Sequence, residues 1–191
     1  MLPVIVNSNT PYGILNAQAR SHSALEANEP FAAKIGAVIA TFAFIERDMP
    51  MIISRLTGMD PGQAFAVAGV FRAFSNRIDM FAELIKLMND DQVEKEIGSH
   101  FKGHLSRANV IRNKYAHASY MGEKDPMTIV PFSGDFNRPA HAQKVSLADI
   151  EKDLDELRAI SAEIFAFTRE LRLTAKLHAR LSRKFPLANW G

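Results

Sequence analysis

Cysteine is absent from the chain. Its absence removes disulfides, thiolate-held zinc, iron–sulfur clusters and a cysteine nucleophile together. It also fits a reducing compartment. Long hydrophobic runs are missing too: nothing approaches the ~18 apolar residues that a membrane-spanning helix needs. The opening MLPVIVNSNTPYG has no basic leading segment, and its apolar run ends at Val6, too short for the core of a signal peptide. No internal repeat and no low-complexity segment is visible. These absences point to a soluble, cytoplasmic protein with no membrane partner.

What remains is 191 residues with a net charge of +2 and a sequence pI near 8.9. That length suits one domain, or one domain with a tail. A chain of this size buries roughly 70% of the surface it exposes when unfolded. One core can therefore hold it without a disulfide or a metal. The charge is mildly basic and selects no partner class by its total; its distribution says more.

Residues 1–27 read as an irregular N-terminal arm, with Val4 to Val6 as a short strand and a turn at Pro11 and Gly13. A first helix is expected from Asn28 to Thr57. Asn28 serves as N-cap, Pro30 lies in the first turn, and Ile35, Val38, Ile39, Phe42 and Ile45 form one apolar stripe. Pro50 predicts a kink or break in it, and Gly58 a C-terminal stop. Asp60-Pro61 opens a second helix carrying Phe65, Phe71, Phe74, Ile78, Phe81 and Ile85 and ending near Asn89. The Phe-rich faces of both helices read as core.

A third helix is expected from about Asp90 to His117. Gly98 and Gly103 weaken it without ending it. Between Ser119 and Val145 the helical period gives way to turn signals, with strands expected over Met127–Phe132 and His141–Val145. Ser146 with Asp149 then makes a carboxylate capping box for a fourth helix. That helix is expected to run towards Lys184, with Pro186 as its stop and 186–191 as a tail. The fold class is all-α: a bundle of four to five helices over 28–185, with a small β excursion (119–145) between the third and fourth main helices.

The stretch that carries chemistry is Asn109 to Tyr120, NVIRNKYAHASY. At about 100° per residue around a helix, Asn113 lies about 100° from Arg112 and His117 about 140°. Asn113 and His117, four apart, share a face, so the three polar groups occupy one side. Ile111, Tyr115 and Val110 point elsewhere. Histidine moves protons near neutral pH. Arginine stays charged and holds phosphate with a planar fork. Asparagine can orient either group. Together they suffice for attack of an RNA 2′-hydroxyl on the adjacent phosphate, with no metal and no cofactor. The products would be a 2′,3′-cyclic phosphate and a 5′-hydroxyl. The competing reading has Arg112 and His117 capping the helix C-terminus, where cations are favoured.

Arg112-Asn113, three residues, then His117 matches the R-N-x-x-x-H signature of HEPN domains, helical bundles found in bacterial toxins, defence systems and CRISPR-associated ribonucleases. FAFIERDMPMIISRLTGMDP and SNRIDMFAELI resemble the first two helices of an uncharacterised bacterial HEPN-like group, and the likeness covers about 30–180. The resemblance implies an HEPN-like bundle and a metal-independent endoribonuclease with catalytic Arg112, Asn113 and His117. It also implies a homodimer whose motif helices face each other, and it admits an antitoxin or regulatory protein as partner. Some HEPN toxins carry a modifiable tyrosine two residues after the histidine. Here Ser119 holds that place and Tyr120 follows, a departure from the pattern.

Supporting candidates are Glu46, which could orient Arg112 or His117 or else pair with Arg47 or a neighbouring turn, and Arg77 and Asp79, in the same cleft or in a plain salt bridge. Lys114 could reach a phosphate or be an exposed lysine, and Tyr120 completes the set. His100 and His104 have metal-chelating spacing but no evident third ligand, so no metal site is expected. Arg169, Arg172, Lys176, Arg180 and Arg183 form a basic stripe, read as an RNA-tracking surface or as a solvated face. The runner-up function is a non-catalytic module that binds RNA, a nucleotide or a partner protein. A metal-dependent hydrolase is third, and chelator sensitivity would favour it.

Overall fold

The computed structural model describes residues 24–87, 99–122, 124–131 and 142–170. Within them the protein is mostly helical with one small sheet. In chain order the elements are α1 (Glu29–Thr57), α2 (Pro61–Val70), α3 (Phe74–Leu87), α4 (Ser99–Ala116), β1 (Ala118–Met121), β2 (Met127–Pro131), β3 (Gln143–Val145) and α5 (Leu147–Glu170). No helix among the described residues is long and apolar enough to cross a membrane. The expected strand at Val4 to Val6, the turn at Pro11 and Gly13 and the C-terminal tail lie outside the described residues, as do the start of the third expected helix and the end of the fourth.

The chain divides into two compact units. One contains the described residues up to Ile39 together with Ile111–Asp155; the other contains Ala40–Val110 and the described residues from Glu156 on. The division falls inside α1, α4 and α5.

The first unit carries the sheet, an antiparallel meander in the order β1-β2-β3. Ala118 faces Pro131 and Tyr120 faces Ile129 across β1 and β2, while Met127 faces Val145 across β2 and β3. Gly122, at φ 101°, ends β1 in a conformation that suits glycine. Tyr120, Met127, Ile129 and Val145 are buried with Phe31, Ile35, Val38, Ile111, Tyr115, Ile150 and Leu154. The expected β excursion is therefore present, and the apolar side of its meander is core. Asn28 caps α1, its Oδ1 accepting from the Phe31 N–H at 3.4 Å. The Ser146–Asp149 box opens α5: the Ser146 N–H and hydroxyl donate to Asp149 Oδ2 at 2.8 and 2.7 Å, and the Asp149 N–H donates to Ser146 Oγ at 3.1 Å. Those bonds from Ser146, hydroxyl first, hold the Asp149 carboxyl below its ordinary pKa. Asp125 Oδ1 also takes the Leu147 N–H at 3.2 Å, and Lys34 pairs with Glu151.

The second unit is built around Phe42, Ile45, Met49, Ile52, Ile53 and Leu56 of α1, with Ile78, Phe81 and Ile85 of α3, Leu105 of α4 and Leu157, Ile160 and Ile164 of α5. Phe42 meets Phe74 edge-on at 4.8 Å between centroids, and Phe101 meets Phe167 at 4.2 Å. Arg107 clamps Glu156 with two bonds of 2.7 and 2.8 Å.

α1 runs to Thr57 as expected, and of the kink or break expected at Pro50 it shows no break. Proline removes one helical hydrogen bond. Pro50 is itself buried, beside Met49, Ile52 and Ile53, and burial of that stripe outweighs one missing bond. Gly58 ends the helix as expected, at φ 72° with its N–H donating to Ser54 O at 2.8 Å.

The second expected helix is two. Asp60 caps α2 as predicted, accepting from the N–H groups of Gly62 and Gln63 at 2.8 and 3.4 Å. The backbone turns extended at Phe71, φ −87° and ψ 99°. Arg77 Nε donates to the Phe71 carbonyl at 2.9 Å, supplying a donor where the helix gives none. Nor is Phe65 core; it is 44% exposed. The inward face of α2 is Ala64 and Ala68 against Ile53, with Met59, Met80 and Leu84 around them. Small residues set that close approach, and the phenylalanine between them is turned outward.

Candidate active site

The motif occupies the last turn of α4 and the residue after it. α4 ends at Ala116, and His117 is the single turn residue between the helix and β1. On a continuous helix Arg112 and His117 would lie about 140° apart and could not touch. Because the chain leaves the helix after Ala116, they do. Arg112 Nη1 lies 2.8 Å from His117 Nε2 and donates at 2.9 Å to Asn113 Oδ1.

The donor inventory fixes the sense of the first bond. A guanidinium nitrogen carries only hydrogens, so His117 Nε2 is the acceptor. The imidazole is then neutral with its proton on Nδ1. Both hydrogens of Nη1 are directed, one to each neighbour. Arg112 is half-buried, while Asn113 and His117 are exposed. A fixed positive charge thus sits beside a basic nitrogen at a solvent-accessible helix end. Once the bond between them opens, such a pair can bind a phosphate through Arg112 and take a proton from a neighbouring hydroxyl at Nε2.

Beneath this trio runs a second network. Lys114 Nζ and the Tyr115 hydroxyl both donate to Asp153 Oδ2, at 2.8 and 2.7 Å. Asp153 and Tyr115 are buried. The Tyr120 hydroxyl donates to the Tyr115 carbonyl. Burial, followed by the bond to Asp153 and its charge, drives the Tyr115 pKa far above the ordinary tyrosine value; burial alone raises that of Tyr120. Lys114 is therefore a partly buried, ion-paired residue, neither the exposed lysine nor the open phosphate ligand that the sequence offered.

The remaining candidates fall elsewhere. Glu46 pairs with Arg77, Oε1 to Nη1 at 3.3 Å, while Arg47 holds Asp48 at 3.3 Å and lies 4.9 Å from the Phe44 ring centroid. Asp79 lies 4.0 Å from Lys102. All of these belong to the second unit, whereas Arg112, Asn113, His117, Lys114 and Tyr120 belong to the first. His104 Nδ1 lies 2.9 Å from Glu163 Oε2. Among the described residues no group of three or more His, Asp or Glu side chains is placed to hold a metal ion. The side chains of His100 and Arg169, and the rest of the basic stripe (Arg172, Lys176, Arg180 and Arg183), lie outside what is described.

Sequence reading missed Asp153. Its signal was there: it lies three residues after Ile150 and four before Leu157, so the apolar stripe of α5 contains an acid. An acid on a core face needs partners, and Tyr115, read only as pointing away from the motif, is one of them. Val110 was placed away from the site and is 58% exposed.

No protein-family model, curated protein or solved structure matches the chain.

Proposed function

We propose that the protein is a metal-independent endoribonuclease of the HEPN type. One observation carries the reading: the Arg112 guanidinium sits 2.8 Å from His117 Nε2 and 2.9 Å from Asn113 Oδ1 at an accessible helix end. The spacing of these residues in the sequence matches the R-N-x-x-x-H signature. In the reaction Arg112 turns from His117 to the phosphate, and the Nε2 lone pair that had accepted from it takes the proton of an RNA 2′-hydroxyl. The 2′-oxygen bonds to the adjacent phosphorus, and the bond from phosphorus to the 5′-oxygen breaks. The leaving 5′-oxygen gains a proton from water or from the His117 of a second copy. Arg112 stabilises the charge that builds on the phosphoryl oxygens, and Asn113 holds Arg112 in place. A homodimer gathers two such trios into one cleft.

The other reading is a non-catalytic module that binds RNA, a nucleotide or a partner protein. It draws on the same bonds, since both Nη1 hydrogens are satisfied within the chain, as a purely structural clamp would have them. Cleavage of varied RNAs by the purified protein in excess EDTA separates the two. The expected result is cutting that leaves cyclic phosphate ends, with Arg112→Ala slower by about 10²–10³-fold and His117→Ala by about 10²–10⁴-fold. Equal cutting by all three proteins, or none by any, moves the assignment to the binding module. Wild-type cutting that is present without EDTA and lost in it points instead to a metal hydrolase.

A further inference from the structure

We infer that Tyr120 is a positioning residue for His117, resting on the ribonuclease reading above. The contact between Arg112 and His117 exists only because the chain leaves α4 after Ala116. Whatever fixes that exit fixes the imidazole.

Three restraints act there. The last carbonyls of a helix have no helical donor, and that of Tyr115 is one of them. The Tyr120 hydroxyl donates to it. Tyr120 is itself locked in place: it is 4% exposed, and in β1 it stands opposite Ile129. β1 is then held to β2 from its first residue, Ala118 against Pro131 and Ser119 against Val130. The segment from Tyr115 to Tyr120 is thus a short loop closed by a side chain at one end and a strand ladder at the other, with His117 between. The buried ring anchors the hydroxyl, the hydroxyl sets the Tyr115 carbonyl, and the carbonyl sets the direction in which the next two residues leave the helix.

This role differs from that of a tyrosine exposed for modification. The Tyr120 hydroxyl is turned inward to the backbone, and its service to the site runs through the main chain.

The geometry gives a spectroscopic signature independent of activity. Because His117 Nε2 accepts from Arg112, its proton resides on Nδ1. A free imidazole side chain in water favours the opposite tautomer. The experiment is ¹⁵N NMR of the full chain with labelled histidine, the His117 signals being identified by their loss in His117→Ala. Tyr120→Phe removes one hydroxyl. Tyr120→Met removes it with a differently shaped, adaptable side chain, and circular dichroism checks the fold of each. Thr168→Val is the control, deleting a buried hydroxyl of the second unit that donates to Ile164 O at 2.7 Å.

The wild type is expected to show the Nδ1–H form. Both Tyr120 variants shift His117 towards the Nε2–H form and lose about 10- to 100-fold in kcat, with KM little changed. Thr168→Val lowers the melting temperature and moves neither. A Tyr120→Phe protein that keeps the wild-type tautomer and kcat overturns the inference, as does a Thr168→Val protein that shifts His117 equally. If the wild type cuts no RNA, the ribonuclease reading fails on its own, and the tautomer comparison still decides whether Tyr120 positions His117.

Discussion

Tyr115 and Tyr120 are hard to ionise for physical reasons that lead to a test. Both hydroxyls are buried and both donate, one to a carboxylate and one to a carbonyl. Losing either proton would set a new charge in a poorly solvated place, and for Tyr115 directly against Asp153. Both pKa values are therefore raised in the folded protein above the ordinary 10.0. The sign of the linkage follows. Below the unfolded value both states hold the proton, and the full stability is present. Above it the unfolded chain gives up protons that the folded chain keeps, so stability is lost as pH rises past 10 towards the folded values. Titration by absorbance at 295 nm should show these two residues ionising only together with unfolding at alkaline pH. In Tyr115→Phe the alkaline loss should be shallower. A smooth titration of all tyrosines near 10 in a protein that stays folded would contradict the burial described for them.

The elements of the fold differ in how far the sequence revealed them. Caps were legible because they are local: Asn28, Asp60 and the Ser146–Asp149 box each make the bonds their types predict. The span of α1 was legible from its apolar stripe, but its continuity through Pro50 was not, because proline argues locally for a kink or break and the opposing term is burial along the whole stripe. The break between α2 and α3 was missed for the converse reason. Nothing in Val70-Phe71-Arg72-Ala73 is a strong helix breaker, and the turn is held by a side chain from the next helix. Arg77 donates to Phe71 O at 2.9 Å and to Glu46 at 3.3 Å. Arg77→Ala should therefore destabilise the protein by about 1–2 kcal/mol, measured by urea unfolding. Amide exchange should quicken around 71–77 before it does elsewhere. Arg77→Lys should recover the Glu46 pairing only in part, since an ammonium lacks the fork that reaches both acceptors. An unchanged midpoint in Arg77→Ala would mean that the break is set by the backbone alone.

For the whole molecule, the question is whether the chemical unit is one chain or two. The sequence placed Arg112, Asn113 and His117 on one side of a helix, with Arg112 and His117 about 140° apart around it; the turn after Ala116 brings those two into contact within a single copy, at 2.8 Å. If that pair is the working unit, a dimer supplies two complete pairs, each made by one chain. Co-expressing Arg112→Ala with His117→Ala then restores nothing, since neither chain has both residues. If the working pair instead joins Arg112 of one copy to His117 of the other, half of the dimers are mixed and each keeps one of its two pairs. About one quarter of wild-type cleavage should then return. Native mass spectrometry of the co-expressed proteins establishes whether mixed dimers are present. The bond within the chain predicts no recovery in a population in which they are. Recovery near one quarter would show that the 2.8 Å contact orients the imidazole but is not the pair that acts on the phosphate.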